Sequence, residues 1–137
     1  MATLFTRIIN GEIGGRFIWS DEVCVAFLTI EPVRPGHTLV VPRVEVDHWV
    51  DLEASTAAHC FDVAQVIGRA QRQAFNPQRI GLQIQGFEVP HAHLHVWPSL
   101  SPADFDLSLA APATDDALDE AAALLRLHVP HTPPAGE

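Results

Sequence analysis

Three histidines stand at alternate positions in the segment His91-Ala-His-Leu-His95. Period 2 is the repeat of a β-strand. On a strand from His91 to Trp97 the three imidazoles share one face, while Ala92, Leu94 and Val96 bury the other. Neighbouring rings would then stand roughly 6–7 Å apart, a spacing that suits a row lining a groove. Three readings compete for that row. It could be a chance run on a structural strand, in a chain with 8 histidines. It could give two ligands to a metal site, with His37 the one further donor of obvious strand placement. Or it could carry nucleophilic catalysis, because neutral imidazole near pH 7 attacks phosphorus. That chemistry needs a hydrogen bond to orient the far nitrogen and a neighbour that protonates the leaving group. In it His93 attacks, His95 reaches the phosphoryl oxygens and the leaving atom, and His91 with His37 packs behind as an orienting network.

The elements that must hold these residues can be read from the surrounding pattern. Thr3 can cap a short helix through Leu4, Phe5, Ile8 and Ile9, ended by Asn10-Gly11. Arg16 to Ser20 and Val23 to Leu28 read as a hairpin around Ser20-Asp21-Glu22. Pro32, Pro35 and Gly36 form a loop, and His37 to Val41 is a buried strand closed by Pro42. A long helix runs from about Leu52 to Phe75 with Asp51 as its N-cap, and Asn76-Pro77 stops it. Ile80 to Gln85 is the next strand, Gly86 a sharp turn, and Pro90 leads into the histidines. Residues Ser99 to Thr114 read as loop, Asp115 to Leu127 as a last amphipathic helix, and Pro130, Pro133 and Pro134 keep the end irregular. This order predicts an α+β domain with a mostly antiparallel, five-stranded sheet. The domain core is expected over residues 1–100. An acidic extension over 101–137 would have one helix packed on or near that core.

With 137 residues, 47% of them hydrophobic and 18% charged, the chain has room for one packed domain and is no disordered tail. It carries 17 acidic residues against 8 Arg and no Lys, a net charge of −9. Such a surface repels nucleic acid phosphates, so neither genome nor transcript is an expected partner. Apolar stretches are strand-length and no secretory leader begins the chain, so no membrane partner and a cytoplasmic location are expected. Cys24 and Cys60 form no CxxC and read as two buried thiols.

The segment Pro90-His-Ala-His-Leu-His-Val-Trp-Pro98 resembles the signature of the histidine-triad (HIT) family. Phe5-Thr-Arg-Ile-Ile-Asn-Gly-Glu-Ile13 is similar to the amino-terminal helix and turn of that family's Hint branch of nucleoside phosphoramidases. Val25-Ala-Phe-Leu-Thr-Ile-Glu-Pro32 resembles its next strand, and Arg34-Pro-Gly-His-Thr-Leu-Val-Val-Pro-Arg43 the segment carrying the upstream histidine. The match runs in order over about residues 4–98. It implies a homodimeric fold and a purine nucleotide as ligand, with its α-phosphate beside the histidines. It implies reaction through a covalent nucleotidyl-histidine on His93, later hydrolysed by water, with no metal or other cofactor.

By the same resemblance Leu4, Phe5, Ile8, Ile13, Ile30 and Leu39 line the base pocket, and Gly86, Glu88 and Val89 approach the phosphate. His95 stands where the transferase branch has Gln; imidazole shuttles a proton and an amide does not, so hydrolysis of a P–N or P–O bond is favoured over transfer. Three departures stand out. Thr29 replaces the Asp that holds the ribose hydroxyls, Glu88 replaces a small hydroxyl residue, and the amino-terminal cysteines of zinc-binding relatives are absent. The expectation for Glu88 is a carboxylate turned outward, leaving backbone donors to the phosphate. Thr29 and Glu88 keep a second function class open: a nucleotide-binding or protein-interaction module with weak or lost catalysis.

Overall fold

The computed structural model describes residues 2–130, so the Pro133-Pro134 stretch lies outside the described residues. Thr3 accepts the N–H of Thr6 on its hydroxyl and starts helix α1 (Leu4–Ile9), which Asn10 ends, with Gly11 at φ +81° beyond it. Strands β1 (Phe17–Ser20), β2 (Cys24–Leu28) and β3 (Thr38–Pro42) follow, then helix α2 (Ala54–Phe75), strands β4 (Arg79–Gln83) and β5 (Leu94–Ser99), and helix α3 (Asp115–Arg126). The five strands form one sheet in the order β1-β2-β3-β5-β4, with each neighbouring pair antiparallel. The fold is α+β, as the order of elements predicts.

Alternation along the strands divides the interior in two. Ala26, Leu28, Val40, Leu94 and Val96 face α2 and α3, where Cys60, Val63, Ile67, Leu118 and Leu125 close the larger core. Val25, Phe27, Leu39 and Val41 face the opposite way, under Phe5 and Ile8 of α1. The catalytic candidates lie on this second side. α2 is tied to the sheet by Gln71, whose Nε2 donates to the carbonyls of Gly36 and Val96 at 2.9 Å each. α3 is tied by Arg126, which donates to the carbonyl of Phe17, and by Asp115 and Asp119, which accept from Arg16. Among the described residues no helix is long and apolar enough to cross a membrane.

Several boundaries differ from the sequence reading. β5 begins at Leu94, so His91 and His93 precede the strand. The β3 ladder reaches only Val40↔Leu94 because β3 ends in Pro42, which has no N–H and whose carbonyl accepts from the His91 side chain. Asp51 does not cap α2. It ends a 3₁₀ turn (Trp49–Asp51), and an extended Leu52 separates that turn from the helix, which Glu53 opens without a side-chain cap. The stretch read as loop after Ser99 contains two further 3₁₀ turns, Pro102–Phe105 and Leu107–Leu109.

Candidate functional site

His37, His93 and His95 converge on one wall of a cavity of about 600 Å³, with His91 behind them, well within the range of small-ligand sites. Their hydrogen-bond partners fix which nitrogen holds each proton. The N–H of Val33 donates to Nδ1 of His37 at 3.1 Å. His37 therefore bears its proton on Nε2 and donates it to Nδ1 of His95 at 3.0 Å. His95 in turn bears its proton on Nε2, facing the cavity. His93 donates Nδ1–H to the carbonyl of His91 at 2.7 Å, which leaves the Nε2 lone pair facing the cavity. His91 donates Nε2–H to the carbonyl of Pro42 and accepts the Thr3 hydroxyl on Nδ1, both at 2.8 Å. The arrangement is a lone pair beside a proton donor, each held from behind.

All four rings are buried, and burial disfavours the charged forms of His37, His91 and His95. Burial, reinforced by the charges of His95 and His93, pushes His37 down to about 3. Burial also lowers His91, against the hydrogen bond to Pro42, and lowers His95, against the nearby Glu88 carboxylate. The rings pack edgewise: Phe5 meets His93 at 4.8 Å between centroids with planes 85° apart, and His93 and His95 lie 4.9 Å apart. That is closer than the 6–7 Å expected of a regular strand, because His93 precedes the ladder. Buried as they are, His93 and His95 still line the cavity, as the reading of a row along a groove expects.

Glu88 departs from expectation. Its carboxylate points inward: Oε1 accepts Nε2–H of His95 at 2.8 Å and lies 3.3 Å from Nε2 of His93. Burial raises the Glu88 carboxyl, but its own backbone N–H and the His95 donor outweigh this, and the net shift is downward. The side chain remains 42% exposed, at the end of a loop that turns at Gly86 with φ +91°.

Glu88, His93 and His95 could together present three donor atoms to a metal ion, and so could Asp21, Cys24 and His59 at the other end of the sheet. The first set fits poorly. A metal on Nε2 of His95 would move its proton to Nδ1, and His37 would then have to accept on both nitrogens while Val33 still donates to one. In the second set Asp21 already accepts from His59, Trp19 and two backbone N–H groups.

Of the residues singled out in the sequence, Leu4, Thr29, Ile30, His37, Leu39, Glu88, Val89, His93 and His95 line the cavity. Phe5, Ile8 and Ile13 stand behind its wall in the smaller core, His91 lies behind His93, and Gly86 is at the loop tip. The Thr29 hydroxyl accepts the N–H of Glu31 at 3.2 Å and so shapes the cavity rim. Sequence reasoning missed Gln85, Glu31 and the wall formed by Phe105, Asp106, Leu107, Ser108 and Ala110. Phe105 is anchored edge-on against Trp97 at 5.1 Å. The only advance signal for that wall was an apolar Phe amid polar loop residues, which does not say what it will pack against.

Comparison with known proteins places this geometry. The HIT domain pattern matches residues 10–101. Protein hit of Bacillus subtilis is 33% identical over 108 residues, covering 74% of this chain and 73% of that one. The bifunctional bis(5'-adenosyl)-triphosphatase/adenylylsulfatase FHIT of Arabidopsis thaliana is also 33% identical, over 74% of this chain and 57% of its own length. A zinc-bound histidine triad family protein from Mycobacterium smegmatis superposes with a TM-score of 0.79 at 30% identity, over 94% of each chain.

Proposed function

The chain belongs to the HIT domain family, and from that premise we propose that it hydrolyses a P–N or P–O bond at the α-phosphate of a purine nucleotide, in the manner of the family's Hint-like branch. The observation that carries the reading is the pairing of an unprotonated Nε2 on His93 with a protonated Nε2 on His95 at one cavity. Nε2 of His93 forms a bond to phosphorus as the bond to the leaving group breaks, and His95 gives its proton to the leaving atom. Water then attacks phosphorus, returns a proton to His95 and frees His93. The apolar Leu4, Ile30, Leu39 and Val89 supply the surface for a base. His37 and His91 act through the other two rings and are positioning residues. The active unit is a homodimer joined through α2 and the β4 edge.

Incubation with an adenosine phosphoramidate and with a diadenosine polyphosphate, with and without chelator, tests the proposal. Chelator-insensitive release of AMP, with an AMP-sized mass increment on His93 after a denaturing quench at alkaline pH, where a P–N bond to histidine survives, is expected. Stoichiometric zinc with chelator-sensitive turnover would overturn it. The Glu88 carboxylate over the nucleophile favours a second reading, a nucleotide-binding module with little catalysis. Tight AMP binding without turnover of either conjugate would select that one.

A further inference from the structure

Glu88 occupies the space that a phosphoryl group needs. Its Oε1 sits 3.3 Å from the lone pair of His93 and 2.8 Å from the proton of His95, where the reacting phosphorus and its oxygens would stand. The contact with His95 is a sound hydrogen bond. The contact with His93 is longer and holds only while a proton lies between the two atoms, because a carboxylate oxygen and an imidazole lone pair repel. Phosphate must therefore displace the carboxylate, and the charge has to be answered where it goes.

Among the described residues no cationic side chain lines the cavity to answer it. Glu31 and Asp106 also line the wall, and no Arg does among the described residues; the chain has no Lys at all. Arg34, which lies nearby in sequence to His37, is paired with Asp104 at 3.1 Å. A dinucleoside polyphosphate would bring a leaving group with several further negative charges into this setting, and each would oppose the three carboxylates. A leaving group with a positive charge reverses the sign. His95 protonates the leaving atom, and Glu88 is bonded to His95. A displaced Glu88 carboxylate that keeps its bond to His95 thus stays within reach of the leaving atom.

We propose that the cavity selects nucleotide conjugates whose leaving group carries a cation, such as an amine-bearing phosphoramidate or aminoacyl nucleotide, and that Glu88 is the residue that determines this. The inference rests on the hydrolase reading above and adds the substrate class to it. Glu88 plays two parts in turn. In the free protein it covers the nucleophile, and with substrate bound it pairs with the ammonium that draws it off His93.

The test compares kcat/KM for three compounds: an aminobutyl adenosine phosphoramidate, a pentyl adenosine phosphoramidate of equal length, and diadenosine tetraphosphate. Wild type is measured beside Glu88→Gln, which keeps an acceptor for His95 without the charge, at low and at high salt. Wild type is expected to prefer the ammonium compound over its neutral analogue by about tenfold or more at low salt, and less at high salt. Glu88→Gln is expected to bring that ratio near one and to raise turnover of the tetraphosphate. Equal kcat/KM for the two phosphoramidates in wild type overturns this inference while leaving the hydrolase reading intact. So does a preference that survives Glu88→Gln. Failure to turn over any of the three overturns both. The salt dependence in wild type needs no variant and reads the same charge.

Discussion

Replacing His93 with Asn removes the nitrogen that forms the bond to phosphorus while leaving the cavity almost unchanged in shape. Turnover is expected to vanish and AMP binding to persist, measured by steady-state assay and by calorimetry; normal turnover would refute covalent catalysis by this residue. His95→Ala removes the proton donor instead, so the loss is expected to depend on the leaving group. It should be roughly 100-fold or more for an alkylamine and much smaller for a good leaving group such as a nitrophenolate. His37 carries a pH prediction. It is neutral when folded, and its folded value of about 3 lies below the 6.5 of a free imidazole. The unfolded chain therefore takes up the proton first as pH falls. The stabilisation is complete above the free-imidazole value and is lost progressively down to the folded one. His91 and His95 shift in the same direction. The urea midpoint should fall between about pH 7 and about pH 5, by up to about 1.4 kcal/mol of stability per unit for each such group. A flat profile would show that these rings are not held neutral. At this scale the sequence named the four histidines, because alternation and a matching upstream segment are local signals. The direction of Glu88 was not legible, since it depends on the path of the loop from Gln83 to Leu94 through space.

Among the elements, α1 joins folding to chemistry through a single hydroxyl. Thr3 caps the helix by accepting from Thr6 and also donates to Nδ1 of His91, whose carbonyl orients His93. Thr3→Ala is expected to cost about 1–2 kcal/mol by urea unfolding, from the lost cap and the unsatisfied buried nitrogen. A lower kcat at unchanged KM should accompany it, and Thr3→Ser should restore both. The start of α1 was readable because the capping residue and apolar period coincide. The start of α2 was not: Asp51 is an acceptable cap by type, but the chain spends it in a 3₁₀ turn, and tertiary placement decided between the two. Likewise the alternation of the histidines describes side-chain direction correctly from Leu94 onward. It cannot show that Pro42 withholds a ladder partner 49 residues away from His91. β4 owes its fit on β5 to a missing side chain. A Cβ on Gly81 would lie 2.5 Å from the Trp97 ring, which is fully buried and cannot retreat. Gly81→Ala should destabilise by about 1–3 kcal/mol on the urea scale.

For the whole molecule, the face formed by α2 and β4 is left open among the described residues. Phe61 and Leu82 are 48% and 43% exposed there, beside a groove that also includes Gly68 and Ile80, and β4 is an unpaired sheet edge. An uncovered edge of this kind invites a partner strand or helix. The proposed homodimer places a second copy on it, and sedimentation at micromolar concentration should give twice the chain mass. A monomer would contradict the assembly without touching the catalytic argument. The packing of α3 has a consequence for how the protein is made. Leu118, Ala121, Ala122 and Leu125 close the same core as Ile18 and Cys24, and Arg16 reaches Asp119 across 103 positions. During synthesis the first strands must wait for the last helix to leave the ribosome before that core can shut. The growing chain passes through a stage in which a finished catalytic wall rests on an open interior, exposed to proteases and to other nascent chains. Protease resistance of stalled chains should accordingly appear in one step, only after α3 has emerged.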